Sequence, residues 1–148
     1  MKGFNFKLQS VLKLKDKKLE DERLIMGEIL KLLEEQKNIL EEMKTKKTNL
    51  EKELLASLEN SDIDILLVQN YRGYISNLLN DIKTQEDIIE KTKTNLEVQK
   101  LKVNEAYKEV KVLEKLREKQ EKKFIQEQTQ KEIKELDDIT ISRYKKAI

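Results

Sequence analysis

The chain has 148 residues, of which 41% are charged and 5% are aromatic, and its formal net charge is +2. It has three glycines and no proline, cysteine, tryptophan or histidine, a composition typical of long helices with charged surfaces. Without histidine or cysteine, the commonest general base, thiolate nucleophiles and zinc-finger ligands are excluded. The three glycines are too far apart to form a phosphate-binding loop. We therefore predict no catalytic residues, no bound cofactor and no metal site, and the lack of cysteine fits a reducing compartment.

The first predicted helix runs from about residue 5, with Asn5 as its N-cap, to about residue 59. Apolar residues recur in it every seven positions, the repeat of a left-handed coiled coil. At the preceding heptad position, Val11, Ile25, Leu32 and Ile39 widen the apolar stripe. This widening indicates either more than a two-stranded seam or a better-buried middle of the helix. The series is Leu12, Leu19, Met26, Leu33, Leu40, Lys47 and Leu54.

The second predicted helix runs from about residue 64 to about 140, after a turn at about 60–63. Ser61 and Asp64 have the spacing of a capping box, with Ser61 as the N-cap. After Leu116 the heptad pattern degrades, so we expect residues 122–148 to overhang without a partner helix. The second apolar series is Ile75, Ile82, Ile89, Leu96, Val103 and Val110.

The short connection between the helices forces them to lie antiparallel. The predicted fold class is therefore all-α, with two long helices forming one antiparallel coiled-coil hairpin over residues 1–148. Facing residue numbers are expected to add up to about 125, which places Leu33 near Thr92 and Leu50 near Ile75. An alignment shifted by one heptad is the main alternative.

Charge is distributed unevenly along the chain. Lysines dominate residues 1–18, and basic residues dominate 111–123, whereas carboxylates dominate 59–90. The basic segments lack the aromatic side chains on which bases stack in proteins that bind single-stranded nucleic acid. This argues against nucleic acid as a partner. No segment approaches the roughly 18 to 20 apolar residues of a membrane span, and Met1–Lys7 lacks a signal-peptide apolar core. We therefore expect a soluble cytoplasmic protein.

Three short blocks resemble the FliJ family, the small coiled-coil component of the bacterial flagellar type III export apparatus. The first block is Phe4-x-Phe6-x-Leu8-Gln9 with the residues up to Lys15, which is similar to the family's opening. The second block, 106–119, is similar to the family's most recognisable segment, and 135–144 to its ending. Length, missing proline and hairpin layout agree across essentially the whole chain.

The resemblance implies a non-enzymatic role in flagellum biogenesis and protein export, and with it in motility and chemotaxis. Members are similar in shape to the two-helix stalk of the rotary ATPase gamma subunit. The implied partners are the hexameric export ATPase, the cytoplasmic domain of the export gate, and export chaperones. The implied location is cytoplasmic, at the inner face of the membrane through these partners only. By motif position, the expected partner-binding residues are Phe4, Phe6, Leu8, Gln9, Leu113, Glu114, Lys115, Leu116, Arg117 and Glu118.

Other interpretations fit the same residues. Phe4 and Phe6 are as well suited to closing the core as to contacting a partner. The equivalent stalk protein of a virulence-type secretion system is the nearest alternative function. A generic coiled-coil scaffold that dimerises through the overhang is an alternative from a different class.

Overall fold

The computed structural model describes residues 3–147, with side chains from 3 to 146. The outermost residues of the predicted domain, Met1, Lys2 and Ile148, lie outside this range. Helix α1 spans Gln9–Glu59 and helix α2 spans Ile65–Ala147. The helices pack against each other in opposite directions, because Gln85 of α2 contacts Gln36 whereas the later Gln99 contacts the earlier Glu22. The predicted fold class, an all-α antiparallel two-helix hairpin, is confirmed.

Helix α1 begins four residues later than predicted. Its first bonds run from the Gln9 amide to the Phe6 carbonyl at 3.1 Å and from the Leu12 amide to the Leu8 carbonyl at 2.9 Å. Asn5 is exposed and precedes these bonds, so its prediction as the N-cap is wrong. The Phe6 side chain is only 5% exposed, and its burial anchors the chain before the helix starts.

Helix α2 is capped by Asp64 and not by Ser61. The Asp64 Oδ1 accepts hydrogen bonds from the amides of Leu66 at 3.1 Å and Leu67 at 3.4 Å. These amides are among the first of the helix, which have no partner within it. The N-cap therefore lies three residues later than predicted, because the acid itself satisfies the free amides and its negative charge suits the helix N-terminus.

Replacing Asp64 with alanine is expected to lower the free energy of unfolding by about 0.5 to 2 kcal/mol. The cause is the loss of the only side-chain bonds to these two amides among the described residues. Urea titration followed by circular dichroism measures the change. The matched control, Asp62→Ala, removes an exposed carboxylate two residues earlier and should leave stability nearly unchanged. Equal losses in both variants would contradict the capping role.

Helix α2 continues to Ala147, past the predicted end near residue 140. After Gly73 its sequence contains no glycine or proline, so nothing in the backbone interrupts the helix. Lys145 and Lys146 lie in the last turn, where positive charge interacts favourably with the helix dipole.

The described residues form two compact units, one of residues 22–103 and one of residues 3–21 with 104–147. The single hairpin domain expected over 1–148 stays a prediction. In the 22–103 unit, the core centres on Leu33, Ile89 and Leu96, with Met26, Ile29 and Leu40 packed against it. Five of the six belong to the two heptad series, and Ile29 lies three residues after Met26 on the same face of α1, so the periodicity placed this core correctly.

Three polar side chains of α2 are also buried in the 22–103 unit: Gln85, Thr92 and Gln99. The Gln85 Nε2 donates to the main-chain carbonyl of Gln36 at 3.0 Å. The Gln99 Nε2 donates to the carbonyl of Glu22 at 3.0 Å and also to the Glu22 carboxylate. These partners satisfy polar groups that would otherwise be costly to bury.

The same contacts bear on the register. Gln85 contacts a residue one helical turn from the partner expected for it, since the alignment at about 125 pairs it with Leu40. Gln99 contacts Glu22, which is likewise one turn from its expected partner. In both contacts the two residue numbers add up to a value between that of the favoured alignment and that of the alternative shifted by one heptad. The pairing of Leu33 with Thr92 therefore stays a prediction.

The widened apolar stripe of α1 is not buried. Val11, Ile25, Leu32 and Ile39 are between 38% and 47% exposed. The expectation of a better-buried middle is therefore wrong. A two-helix seam encloses only the positions that face the partner helix, and the flanking positions keep about half their surface in water.

Candidate partner-binding surface

All ten residues expected to bind partners lie in the unit of residues 3–21 with 104–147. Two contacts fix how its segments run. The rings of Phe4 and Phe124 lie 5.8 Å apart between centroids, and the Lys15 Nζ lies 3.0 Å from the Glu109 carboxylate. Residues 4–15 therefore lie alongside 109–124, so the structure brings the two blocks of expected residues together.

The apolar members of the set mostly build this unit. Phe6 is buried, and Phe4, Leu113 and Leu116 are half-buried. Leu8 is the most accessible of them, at 38% exposed. Of the two roles considered for Phe6, the structure favours closing the core, because a partner protein would not reach a side chain that is enclosed.

The polar members divide into paired and unpaired groups. Glu114 accepts a hydrogen bond from Lys111 at 3.1 Å, and Glu118 forms an ion pair with Lys122 at 3.5 Å. Lys115 and Arg117 are exposed and have no ion-pair partner within 4.0 Å among residues 3–146. Gln9 is half-buried at the first position of α1.

Phe124 is a structural residue that the sequence reasoning missed. It is the one aromatic side chain in the charged stretch 117–135, and it is half-buried against Phe4. An isolated aromatic residue beyond the end of the heptad series was the available signal. Its contact with Phe4 helps to hold the segment before α1 against α2.

The ion pair of Lys15 with Glu109 links the two segments electrostatically. The Lys15 ammonium, 3.0 Å away, holds the pKa of the Glu109 carboxyl below its ordinary value, and the positive charge of Lys18 adds a smaller lowering effect. Glu109 thus stays ionised to lower pH than a free glutamate.

Because the pKa of Glu109 is lowered in the folded state, its ionised carboxylate stabilises the fold at pH values above the ordinary glutamate pKa. This stabilisation is lost as the pH falls through the folded-state pKa. Replacing Lys15 with alanine is expected to raise the pKa of Glu109, because the donor and its charge are both removed. An NMR titration of the Glu109 carboxyl carbon measures the shift. Lys17→Ala, an exposed control on the same helix, should leave that pKa unchanged, and a similar rise in both variants would contradict the specific pairing.

The acidic stretch 59–90 belongs to the other unit and has a shallow apolar recess beside it. The recess has a volume of about 170 Å³ and is lined by Leu50, Leu67, Asn70, Tyr71 and Tyr74. Burial of the ring, and then the nearby Glu53 carboxylate, raise the pKa of Tyr71.

Within residues 3–147 no cluster of carboxylates, histidines or cysteines is arranged to hold a metal ion. Neither helix, over its described length, has a stretch apolar enough to cross a membrane.

These features define an antiparallel coiled-coil protein with a charged surface. The chain belongs to the FliJ family, because the family model described as "Flagellar FliJ protein" matches residues 4–147. No curated protein and no solved structure matches the chain. Membership makes it a coiled-coil protein of flagellar type III export, from a family of structural export components and not of enzymes.

Proposed function

We propose that this protein binds the hexameric export ATPase through the surface formed by residues 4–15 and 109–124. In the same proposal it also contacts the cytoplasmic domain of the export gate and assists export chaperones in delivering their substrates. It would work in the cytoplasm and be held at the inner face of the membrane, at the flagellar base, through these partners only.

The observation that carries the proposal is the pair of exposed, unpaired basic side chains, Lys115 and Arg117. They lie in the segment most similar to the family, and residues 4–15 alongside them contribute Lys7 and Lys13. Unpaired charges of one sign raise the rate of association with a partner of opposite sign. The complementary partner surface is therefore expected to be acidic.

The apolar members of the surface have a supporting role in this proposal. Phe6 is enclosed and Leu113 is half-buried, so they hold the two segments side by side. The exposed members are then the direct contacts: Leu8, Glu114, Lys115, Arg117 and Glu118. Removing an enclosed residue should weaken binding by loosening the unit, whereas removing an exposed one should weaken binding with the fold intact.

The test is co-purification of the full chain with the flagellar export ATPase, followed by measurement of ATP hydrolysis with and without the chain. We expect stable co-elution and a changed hydrolysis rate. The ATPase of a virulence-type secretion system serves as the comparison and should bind more weakly. Failure to bind the flagellar ATPase while binding the virulence ATPase would overturn the flagellar assignment of the partner, and binding to neither would overturn the ATPase proposal.

A further inference from the structure

The last part of α2 presents an apolar face that no part of the described chain covers. Residues 129–146 are all exposed, although the helix is continuous to Ala147. Ile125, Ile133, Leu136 and Tyr144 are between 54% and 69% exposed. Contiguous exposed apolar faces of this kind mark interaction sites.

The face has a different period from the seam. Its members are spaced four, four, three, four and four residues apart, an eleven-residue repeat in which Ile125 corresponds to Leu136 and Ile133 to Tyr144. Such a repeat has about 3.67 residues per turn, against 3.5 for the heptads of the seam. It is therefore a separate face and not a continuation of the seam that packs α1. Its members are Ile125, Thr129, Ile133, Leu136, Thr140 and Tyr144.

The hydroxyl groups of the two threonines in the face already have hydrogen-bond acceptors in their own helix, so the threonines can be buried at little cost. The Thr129 Oγ1 donates to the Ile125 carbonyl at 2.9 Å, and the Thr140 Oγ1 donates to the Leu136 carbonyl at 2.9 Å. Each hydroxyl is thus satisfied within its own helix, and covering it would leave no unpaired donor. Their methyl groups are left to complete the apolar face.

The face is self-complementary when two copies lie antiparallel. One alignment pairs Ile125 of one copy with Tyr144 of the other, Thr129 with Thr140, and Ile133 with Leu136. Two-fold symmetry repeats each pair, so each threonine meets a threonine and each larger apolar side chain meets another. No residue of the face is left opposite a charge in this alignment.

The charges beside the face favour the same orientation. At 100° per residue, Glu132 and Arg143 lie on one flank of the face and Asp137 lies on the other. In an antiparallel pair, the flank of one copy that carries Glu132 and Arg143 lies beside the same flank of the other copy. Because side chains lean towards the N-terminus of their own helix, Glu132 of one copy leans towards Arg143 of the other. Asp137 of one copy likewise leans towards Asp137 of the other, so the antiparallel pair sets this one repulsion against two Glu132–Arg143 attractions. Unlike flanks meet in a parallel pair, which would place Glu132 beside Asp137 twice and bring Arg143 beside neither.

We propose that this face, residues 125–144 of α2, binds the same face of a second copy of the chain in an antiparallel pair. Twenty residues give roughly 30 Å of paired helix. Only six apolar or methyl-bearing side chains per copy contribute, so the interface is small and its dissociation constant is expected to be on the order of micromolar. The pairing goes beyond the function proposed above, and it would compete with any other partner of the same face.

Sedimentation velocity of the full chain over a range of concentrations tests the pairing. We expect the average mass to rise from one chain towards two as concentration increases. Leu136→Gln, which keeps a good helix former, should shift this rise to concentrations at least tenfold higher. The matched control is Leu101→Gln, which alters a leucine of α2 that is 67% exposed outside the face and should behave like the unaltered chain. A chain that stays monomeric throughout, or equal effects of the two variants, would overturn the proposal.

Cysteine cross-linking tests the orientation without relying on Leu136, and the absence of native cysteine leaves only the introduced thiols reactive. Thr129→Cys mixed with Thr140→Cys should form a disulfide-linked heterodimer, whereas each variant alone should cross-link much less. Cross-linking of each variant with itself and not with the other would show a parallel pair and overturn the antiparallel one.

Discussion

Replacing Leu96 with alanine is expected to lower the free energy of unfolding by about 2 to 5 kcal/mol, nearer the lower figure in a two-helix seam. Leu96 is 7% exposed and packs in the core cluster with Leu33 and Ile89. A helix pair has few other layers that can move to fill the space left by the side chain. Thermal and urea unfolding followed by circular dichroism measure the loss.

Leu101→Ala is the matched control, because it makes the same chemical change five residues later on the same helix. Leu101 is 67% exposed, so its loss should change stability by no more than about 0.5 kcal/mol. If Leu101→Ala destabilised the protein as much as Leu96→Ala, the assignment of the seam would be wrong.

Reversing the charge of Lys115 and Arg117 to glutamate is expected to weaken binding to the export ATPase by at least tenfold at low salt. Both side chains are exposed and without ion-pair partners among the described residues, so circular dichroism should show an unchanged fold. The difference from the unaltered chain should shrink as salt is added, because exposed charges are increasingly screened. Kinetic binding measurements should place most of the change in the association rate.

The matched control reverses two exposed carboxylates of the other unit, with Asp62→Lys and Asp87→Lys. Asp64 is left unaltered, because it caps α2 and its loss would disturb the helix. This control variant should bind the ATPase nearly as well as the unaltered chain. Loss of binding in the control with retention in the Lys115 and Arg117 variant would place the ATPase on the acidic unit instead.

Periodicity predicted the seam because burial in a helix pair depends mainly on angular position. Leu12, Leu33, Ile82 and Ile89 are buried as the seven-residue spacing indicated. The same logic failed for Ile25 and its equivalents, since an apolar residue beside the seam has nothing above it to complete its burial. Spacing indicates which face is apolar, but it does not show how wide a face the partner helix covers.

Helix ends were harder to predict than the seam. Ser61 and Asp64 are both good caps, and the choice between them depends on where the backbone leaves the turn, which no local motif decides. The start of α1 depends on Phe6 and on the contact of Phe4 with Phe124, two residues 120 positions apart. Long-range packing of this kind leaves no short-range pattern in the sequence.

The candidate surface was predicted by its similarity to a family and not by chemistry visible in the sequence. The structure adds that Phe6 is enclosed while Lys115 and Arg117 are accessible, which separates supporting residues from proposed contacts. An alternation of charges along a helix does not reveal which charges are paired. That distinction needs the positions of Lys111 and Lys122 beside Glu114 and Glu118.

The glutamines buried in the 22–103 unit bear on how easily its two helices could slide along each other. Gln85 and Gln99 bind main-chain carbonyls, and every residue of a helix carries such a carbonyl. If one helix moved along the other by one heptad, each glutamine amide would lie beside an equivalent carbonyl. These hydrogen bonds therefore oppose such sliding only weakly. Of the bonds described for these two glutamines, only the one from Gln99 to the Glu22 carboxylate depends on one particular side chain. Resistance to shear between the two helices of this unit therefore comes mainly from the shapes of its leucine and isoleucine side chains.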